Sequence, residues 1–120
     1  MSSDASGEAK ERASIFLTLV AQDKPVYGLR NPGGGLATWK FEESEETLIP
    51  FWTDEETAIA CAQANFPENN SFEMKAAYFT GSLLPMLEKQ GILVGVNLSD
   101  QMGGIDLSAS DLITEIKGAG

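Results

Sequence analysis

The stretch LIPFWTDEETA, residues 48–58, decides how this chain folds. Its first four residues are apolar, and Pro50 favours an extended backbone at Ile49, so the stretch begins as a short strand. Because Pro50 has no N–H, we expect this strand to lie at a sheet edge or to be nearly finished there. Thr53, followed by Glu56 three residues later, matches a capping box. The stretch therefore predicts a strand that turns directly into a helix. We call this strand–helix junction, at Trp52 and Thr53, the corner.

The helix after this corner is predicted to end near Phe66. It is rich in alanine, and its spacing places Ile59, Ala62 and Phe66 on one face. Cys61 also falls on this helix and is interpreted as a small buried apolar residue. As the single cysteine of the chain, it cannot form an internal disulfide, which excludes a disulfide-stapled secreted scaffold.

The segments on either side of the corner alternate between helix and strand patterns. Before the corner we predict a helix at 8–22 and strands at 26–30 and 36–41, which the loop 31–35 joins as a hairpin. After the corner and its helix we predict a strand at 71–78, a helix from 80 or 82 to 90 and a strand at 92–98. An extended piece at 105–107 and a last helix capped by Ser108 follow. Pro85 requires either a first-turn position or a kink. The strand at 92–98 lacks alternation, so we place it centrally with both faces covered, and Gly95 indicates a close neighbour.

Together these segments predict an α+β fold. We expect a single small domain over residues 8–117, with a mixed or antiparallel sheet of about five strands and three to four helices. Residues 1–7 are predicted to be a disordered tail and residues 118–120 a frayed end.

The charge of the chain limits its partners. The net charge of −10 and pI near 4.2 argue against nucleic acid and against anionic membrane surfaces, and permit a protein partner with a basic surface. The alternative is that the charge only keeps the protein soluble. No apolar run approaches the roughly 20 residues of a membrane-spanning helix, and we expect a cytoplasmic protein.

Catalytic groups are scarce in the sequence. The chain has no histidine, and no spacing selects an acid–base pair of carboxylates, so we expect no enzyme activity and no cofactor. The glycine-rich loop 31–35 leads into a strand rather than into the Lys and helix of a phosphate-binding loop. Seven acids between Glu42 and Glu56 could bind Mg²⁺ or Ca²⁺, but their spacing matches no EF-hand, and a solvated loop and a helix cap explain all seven without a metal. We therefore expect no metal site.

Several short motifs resemble, in the same order, a family of small bacterial proteins known as a domain of unknown function. They are Val26–Leu29, Ile49–Thr53, Leu83–Leu87 and Val94–Asn97. The resemblance extends from Ala9 to Ile116, and there is a looser similarity to the N-terminal part of enhanced-serine-sensitivity proteins. Leu98 stands where the family often has a tryptophan, which would alter any binding surface there. The resemblance implies a small α+β fold and no particular chemistry.

Two functions remain open on this reading. The first is a non-catalytic protein-interaction module of the immunity or regulatory type, which would use Trp52, Asp54 and Glu55. The alternative is a small-molecule ligand-binding or sensor domain, with Asn97 at the end of the central strand beside a glycine-containing loop. Structural roles compete with both: Trp52 as a core anchor, the acids as the helix cap, and Asn97 as a turn residue. The sequence leaves the oligomeric state open.

Overall fold

A computed structural model describes the protein over residues 2–41, 46–99 and 104–119, and its side chains over residues 10–118 of these ranges. The helices are α1 (Ser2–Ala21), α2 (Glu55–Asn65), α3 (Ala76–Tyr78), α4 (Leu84–Gln90) and α5 (Ala109–Ala119), with a π-helical turn (Phe79–Leu83) joining α3 to α4. The strands are β1 (Val26–Arg30), β2 (Trp39–Lys40), β3 (Thr47–Phe51), β4 (Asn70–Met74), β5 (Leu93–Val96) and β6 (Ile105–Ser108). The predicted α+β class is confirmed.

The strands form two sheets that meet at the corner. One sheet has four strands in the order β2-β3-β5-β6, with β3 and β5 parallel and the other pairs antiparallel. The other is the antiparallel pair β1-β4. Tyr27 and Trp52 exchange backbone hydrogen bonds of 2.7 and 2.8 Å, which join β1 to the end of β3. The mixed sheet is thus accompanied by a second, two-stranded ribbon.

Pro50 lies inside the four-stranded sheet rather than on an edge strand. Its register partner is Gly95 on β5. On the opposite flank, β2 pairs only with Thr47 and Leu48, and β1 makes its contact at Trp52. Pro50 therefore sits between two partners, at a position where its missing N–H interrupts no ladder bond.

The sheet separates two clusters of buried side chains. Alternation along β3 directs Ile49 and Phe51 to one cluster and Leu48 and Trp52 to the other. The first cluster is closed by α1, α4 and α5. The second is closed by α2, and we call it the α2-side cluster. β5 lies between β3 and β6 and is covered on both faces, so its predicted central position is confirmed.

Gly95 allows close packing on the side of the second cluster. A Cβ atom at this position would lie 2.8 Å from the Leu98 Cδ1 and 3.1 Å from the Leu48 Cδ2. The close neighbour predicted from this glycine is therefore Leu98, three residues further along the same chain.

The hairpin predicted for residues 26–41 is formed only as far as Ala37. After β1 the loop closes tightly, since the Asn31 N–H donates to the Gly35 carbonyl at 2.8 Å. Leu36 makes one bridge with Arg30, and the Ala37 N–H donates to the Leu29 carbonyl at 2.9 Å. The chain then leaves β1, and β2 pairs with β3. Ala37 is buried beside Leu29 in the α2-side cluster, and Trp39 then rests edge-on against Phe66.

The strand predicted for residues 71–78 ends earlier, at Met74. Ala76 already begins α3, and the chain stays helical to Gln90 through the π-helical turn. The turn precedes Pro85, which has no N–H to donate and crowds the carbonyl four residues before it. In the wider turn the Leu84 N–H donates to the Phe79 carbonyl, five residues back, so Pro85 is accommodated inside a continuous helical segment.

The two ends of the chain are more helical than expected. The backbone of α1 begins at Ser2, where the sequence predicted a tail without structure up to residue 7. At the other end, Ser108 accepts the Asp111 N–H at 3.1 Å, as predicted, and α5 continues to Ala119. Met1 and Gly120 lie outside the described residues.

Candidate functional site

Asn97 is a hydrogen-bonded junction between three parts of the chain. It follows β5 directly, has a left-handed backbone (φ 48°), and is 7% exposed. Its side-chain oxygen accepts the Thr53 N–H at 2.9 Å, and its Nδ2 donates to the Arg12 carbonyl and the Thr53 hydroxyl, both at 3.1 Å. Its own carbonyl accepts from the Arg12 Nε at 3.1 Å. Since its amide is fully engaged, Asn97 joins α1 and β5 to the corner and has no group directed at a ligand.

Trp52 is a core residue. It is completely buried in the α2-side cluster, and its indole N–H donates to the Leu98 carbonyl at 2.8 Å. The polar edge of the ring is therefore satisfied inside the protein. A partner approaching the corner would not contact the Trp52 side chain in this conformation.

The helix cap at the corner is Asp54, and the predicted capping box with Thr53 is wrong. The Asp54 carboxylate accepts the Thr57 N–H at 2.9 Å and the Thr57 hydroxyl at 2.6 Å, and α2 then begins at Glu55. Thr53 is not available as a cap because Asn97 holds both its N–H and its hydroxyl. Glu55 lies in the first turn and is exposed.

Strand pairing between Tyr27 and Glu73 brings a further carboxylate to this corner. Burial raises the pKa of the half-buried Tyr27 phenol above its ordinary value of 10.0, and the nearby carboxylates of Glu73, Glu55 and Asp54 raise this pKa further. A hydrogen bond to Glu73 also favours the protonated phenol. We call the surface formed by Tyr27, Asp54, Glu55 and Glu73 the acidic corner.

A separate cleft lies on the other face of the β1-β4 ribbon. It has a volume of about 350 Å³ and runs between the ribbon and the π-helical turn. The Arg30 guanidinium lies 4.1 Å from the centroid of the Phe72 ring at one side of this cleft. Tyr78 and Met86, which are 54% and 44% exposed, lie on the other side. The cleft thus combines one cation with aromatic and apolar walls.

Comparison with known protein families matches nearly the whole of this structure. The profile of DUF2750, described as a protein of unknown function, covers residues 13–116, which include every motif of the predicted resemblance. The chain belongs to the DUF2750 family. Membership in a family of unknown function is thereby confirmed, and the looser similarity to enhanced-serine-sensitivity proteins stays a prediction. A search of curated proteins finds no match to the chain.

Leu98, the residue expected from the sequence to alter a binding surface, is buried in this DUF2750 chain. Its side chain is 3% exposed and packs within the cluster that contains Trp52 and Leu48. The leucine side chain thus packs against Gly95, and its backbone carbonyl accepts a hydrogen bond from the Trp52 indole N–H. In this chain the residue lies in the core rather than on a surface.

The structure separates the four residues predicted to form an interaction site. Asp54 and Glu55 are exposed at the acidic corner, whereas Trp52 and Asn97 are buried. The sequence reading missed Tyr27 and Glu73, because they reach the corner from β1 and β4 through pairing between strands. It also missed Arg30 and Phe72 of the cleft, whose approach depends on the same register. Alternation within β1 and β4 was the signal available for both pairs.

Other expectations about this DUF2750 chain concern membranes and metals. None of the helices within residues 2–41, 46–99 and 104–119 is long and apolar enough to cross a membrane. In the same ranges no three Cys, Asp or Glu side chains come together as a group that could hold a metal ion. Residues 42–45, which carry three of the seven acids between Glu42 and Glu56, lie outside the described residues, so the prediction for that segment stands as made.

Proposed function

We propose that this protein is a non-catalytic interaction module that presents the acidic corner to a protein with a basic surface. The observation that carries this proposal is that Tyr27 pairs with Glu73 across the ribbon and bridges to Trp52, two residues before Asp54, which brings these acids together at the start of α2. Three carboxylates from two elements, with an aromatic ring between them, match the composition of a surface that recognises Lys or Arg side chains.

The absence of histidine and the net charge of −10 also support a binding role. A field of this sign attracts a basic partner and speeds its association at low salt. Hydrogen bonds of the buried Trp52 and Asn97 also hold the corner in place, because they join it to α1 and to the end of β5. A preorganised surface loses less conformational entropy on binding.

The test is to capture a binding partner and measure its affinity for two matched triple variants. The first, Asp54→Asn/Glu55→Gln/Glu73→Gln, removes three charges from the acidic corner and leaves an amide that can still cap α2. The second, Glu68→Gln/Glu88→Gln/Glu115→Gln, removes three charges from exposed positions elsewhere. We expect the corner variant to bind the purified partner at least about tenfold more weakly than wild type, through loss of charge pairing. The remote variant should change the affinity less than about threefold, since only the long-range field differs.

The salt dependence provides a second measurement. The affinity of the wild type should fall as ionic strength rises, and that of the corner variant should fall less steeply. Equal affinities of the two triple variants would mean that net charge, not the acidic corner, governs binding, and the proposal would then be rejected.

A further inference from the structure

The cleft beside Arg30 has the features of a small-ligand site that is independent of the acidic corner. Side chains alternate across the β1-β4 ribbon, and the register pairs Tyr27 with Glu73 and Gly28 with Phe72. The acidic corner therefore lies on one face, with the α2-side cluster, while Phe72 and Arg30 lie on the other. Glu73 borders both surfaces, and the other residues of each can be altered without changing the other surface.

Apolar side chains make up part of the cleft's lining, beside the charged side chains of Arg30 and Glu73. Phe72, Met74 and Leu83 form part of its lining, and Tyr78 and Met86 expose large apolar groups at its opening. Its volume of about 350 Å³ falls in the range of roughly 300–1,000 Å³ that is typical of small-molecule sites. The π-helical turn that forms one wall is a rare element that occurs frequently at functional sites.

Arg30 supplies the polar contact of the site. Its guanidinium carbon lies 4.1 Å from the centroid of the Phe72 ring, a cation–π contact that holds the group over the ring. Among the residues that the structure describes, no carboxylate forms an ion pair with Arg30. Glu73 borders the cleft, but its carboxylate is hydrogen-bonded to Tyr27. A planar guanidinium held in this way suits two parallel hydrogen bonds to a carboxylate.

We propose that this cleft binds a small organic carboxylate with an aromatic or aliphatic body. The carboxylate pairs with Arg30, and the apolar body lies against Tyr78, Met86 and Leu83. The chain's negative field opposes anions at long range, but at physiological salt it is screened beyond about 8 Å, whereas direct contact with the guanidinium is not. The small volume favours a single compact molecule over an extended peptide.

The test is an NMR titration of the whole chain with phenylacetate, its neutral analogue phenylacetamide, and the cation phenethylamine. We expect saturable shifts of the Tyr78, Leu83 and Met86 amides with phenylacetate, and at least about tenfold weaker binding of both other probes, because a charged hydrogen bond is lost. Arg30→Gln should weaken phenylacetate binding by a similar factor. Lys117→Gln, which removes the same charge from an exposed position on α5, should leave the affinity unchanged.

A second variant tests the apolar wall. Met86→Glu places a carboxylate at the exposed side of the cleft and should abolish phenylacetate binding while the spectrum remains that of a folded protein. Equal affinity for phenylacetate and phenylacetamide, shifts that map elsewhere, unchanged binding by Arg30→Gln, or no saturable binding would each overturn the proposal. Concentration-dependent shifts of the same residues without any probe would identify a second copy of the chain as the occupant, and would also overturn it. None of these outcomes bears on the acidic corner.

Discussion

The side-chain oxygen of Asn97 accepts a hydrogen bond from the Thr53 N–H at 2.9 Å, although 44 residues separate them. This contact joins the end of β5 to the start of the corner, and the same amide holds the Arg12 carbonyl of α1. We expect Asn97→Ala to lower the free energy of unfolding by about 3 kcal/mol, because it leaves part-buried backbone groups unpaired. Urea denaturation measures this change. Asn70→Ala, at an exposed position, should change the free energy by less than about 0.5 kcal/mol.

Asn97→Gly separates the stability lost with the side-chain hydrogen bonds from the stability lost through strain in the left-handed backbone. Glycine accepts the φ of 48° without strain, so Asn97→Gly should be about 1 kcal/mol more stable than Asn97→Ala. If the two variants unfold at the same urea concentration, strain in the left-handed backbone contributes nothing to the loss of stability in Asn97→Ala.

Trp52 and Trp39 are the two tryptophans of the chain, and they form a matched pair for mutation. Trp52→Phe should lower the free energy of unfolding by about 2 kcal/mol, since it leaves a cavity and an unpaired Leu98 carbonyl. Trp39, which is 36% exposed, packs edge-on against Phe66, and Trp39→Phe keeps an aromatic ring there. Chemical denaturation should show a change below about 0.5 kcal/mol for Trp39→Phe. A larger effect at Trp39 than at Trp52 would contradict the burial of the corner.

Asp54 can be tested as the cap of α2 by comparing two substitutions. Asp54→Ala should cost about 1 kcal/mol of stability, because it removes the acceptor of the Thr57 N–H. Asp54→Asn keeps an acceptor and should cost only a few tenths of a kcal/mol. Thermal melts of both variants at equal protein concentration give the comparison. Equal losses would show that the charge of Asp54, and not its capping bond, supports the helix.

Tyr27 should make stability depend on pH in the alkaline range. Its pKa is raised in the folded protein, so the folded state holds the phenol proton more tightly than the unfolded state does. The stabilising effect is fully present below the unfolded pKa, which is near 10.0, and is lost as the pH rises through the folded pKa.

The ultraviolet absorbance of Tyr78→Phe, which retains Tyr27 as its single tyrosine, follows this titration directly. Glu73→Gln in that background should lower the Tyr27 pKa toward 10.0, because it removes a nearby negative charge. In Tyr27→Phe the loss of stability above this pH should be smaller than in wild type. An unchanged profile in Tyr27→Phe would assign the alkaline effect to another group.

Much of the fold could be predicted from local patterns. β1 was predicted with its observed ends, and β5 was placed centrally because an apolar run without alternation must be covered on both faces. The corner was predicted as a strand entering a helix, which β3 and α2 confirm. These features depend on residues close together in sequence, where alternation and capping chemistry act directly.

The errors arose where tertiary contacts overrode local signals. The loop 31–35 closes as a hairpin connection, but only Leu36 and Ala37 pair with β1, and Trp39 and Lys40 pair with β3 instead. Thr53 has the chemistry of a cap, yet Asn97 competes for its hydrogen bonds and Asp54 takes that role. The same limit applies to the candidate surfaces, because Tyr27 with Glu73 and Arg30 with Phe72 are brought together by the register of β1 and β4.

The π-helical turn makes the segment before Pro85 sensitive to chain length. Residues five apart on an α-helix point about 140° away from each other, but the wider turn lets Phe79 and Leu84 both face the first cluster. Phe79 there contacts the rings of Phe16 and Phe51 edge-on. Deleting one residue from this turn would rotate α3 about its axis relative to α4 and withdraw Phe79 from both rings. A single-residue deletion that a surface loop would absorb would here act as a core mutation.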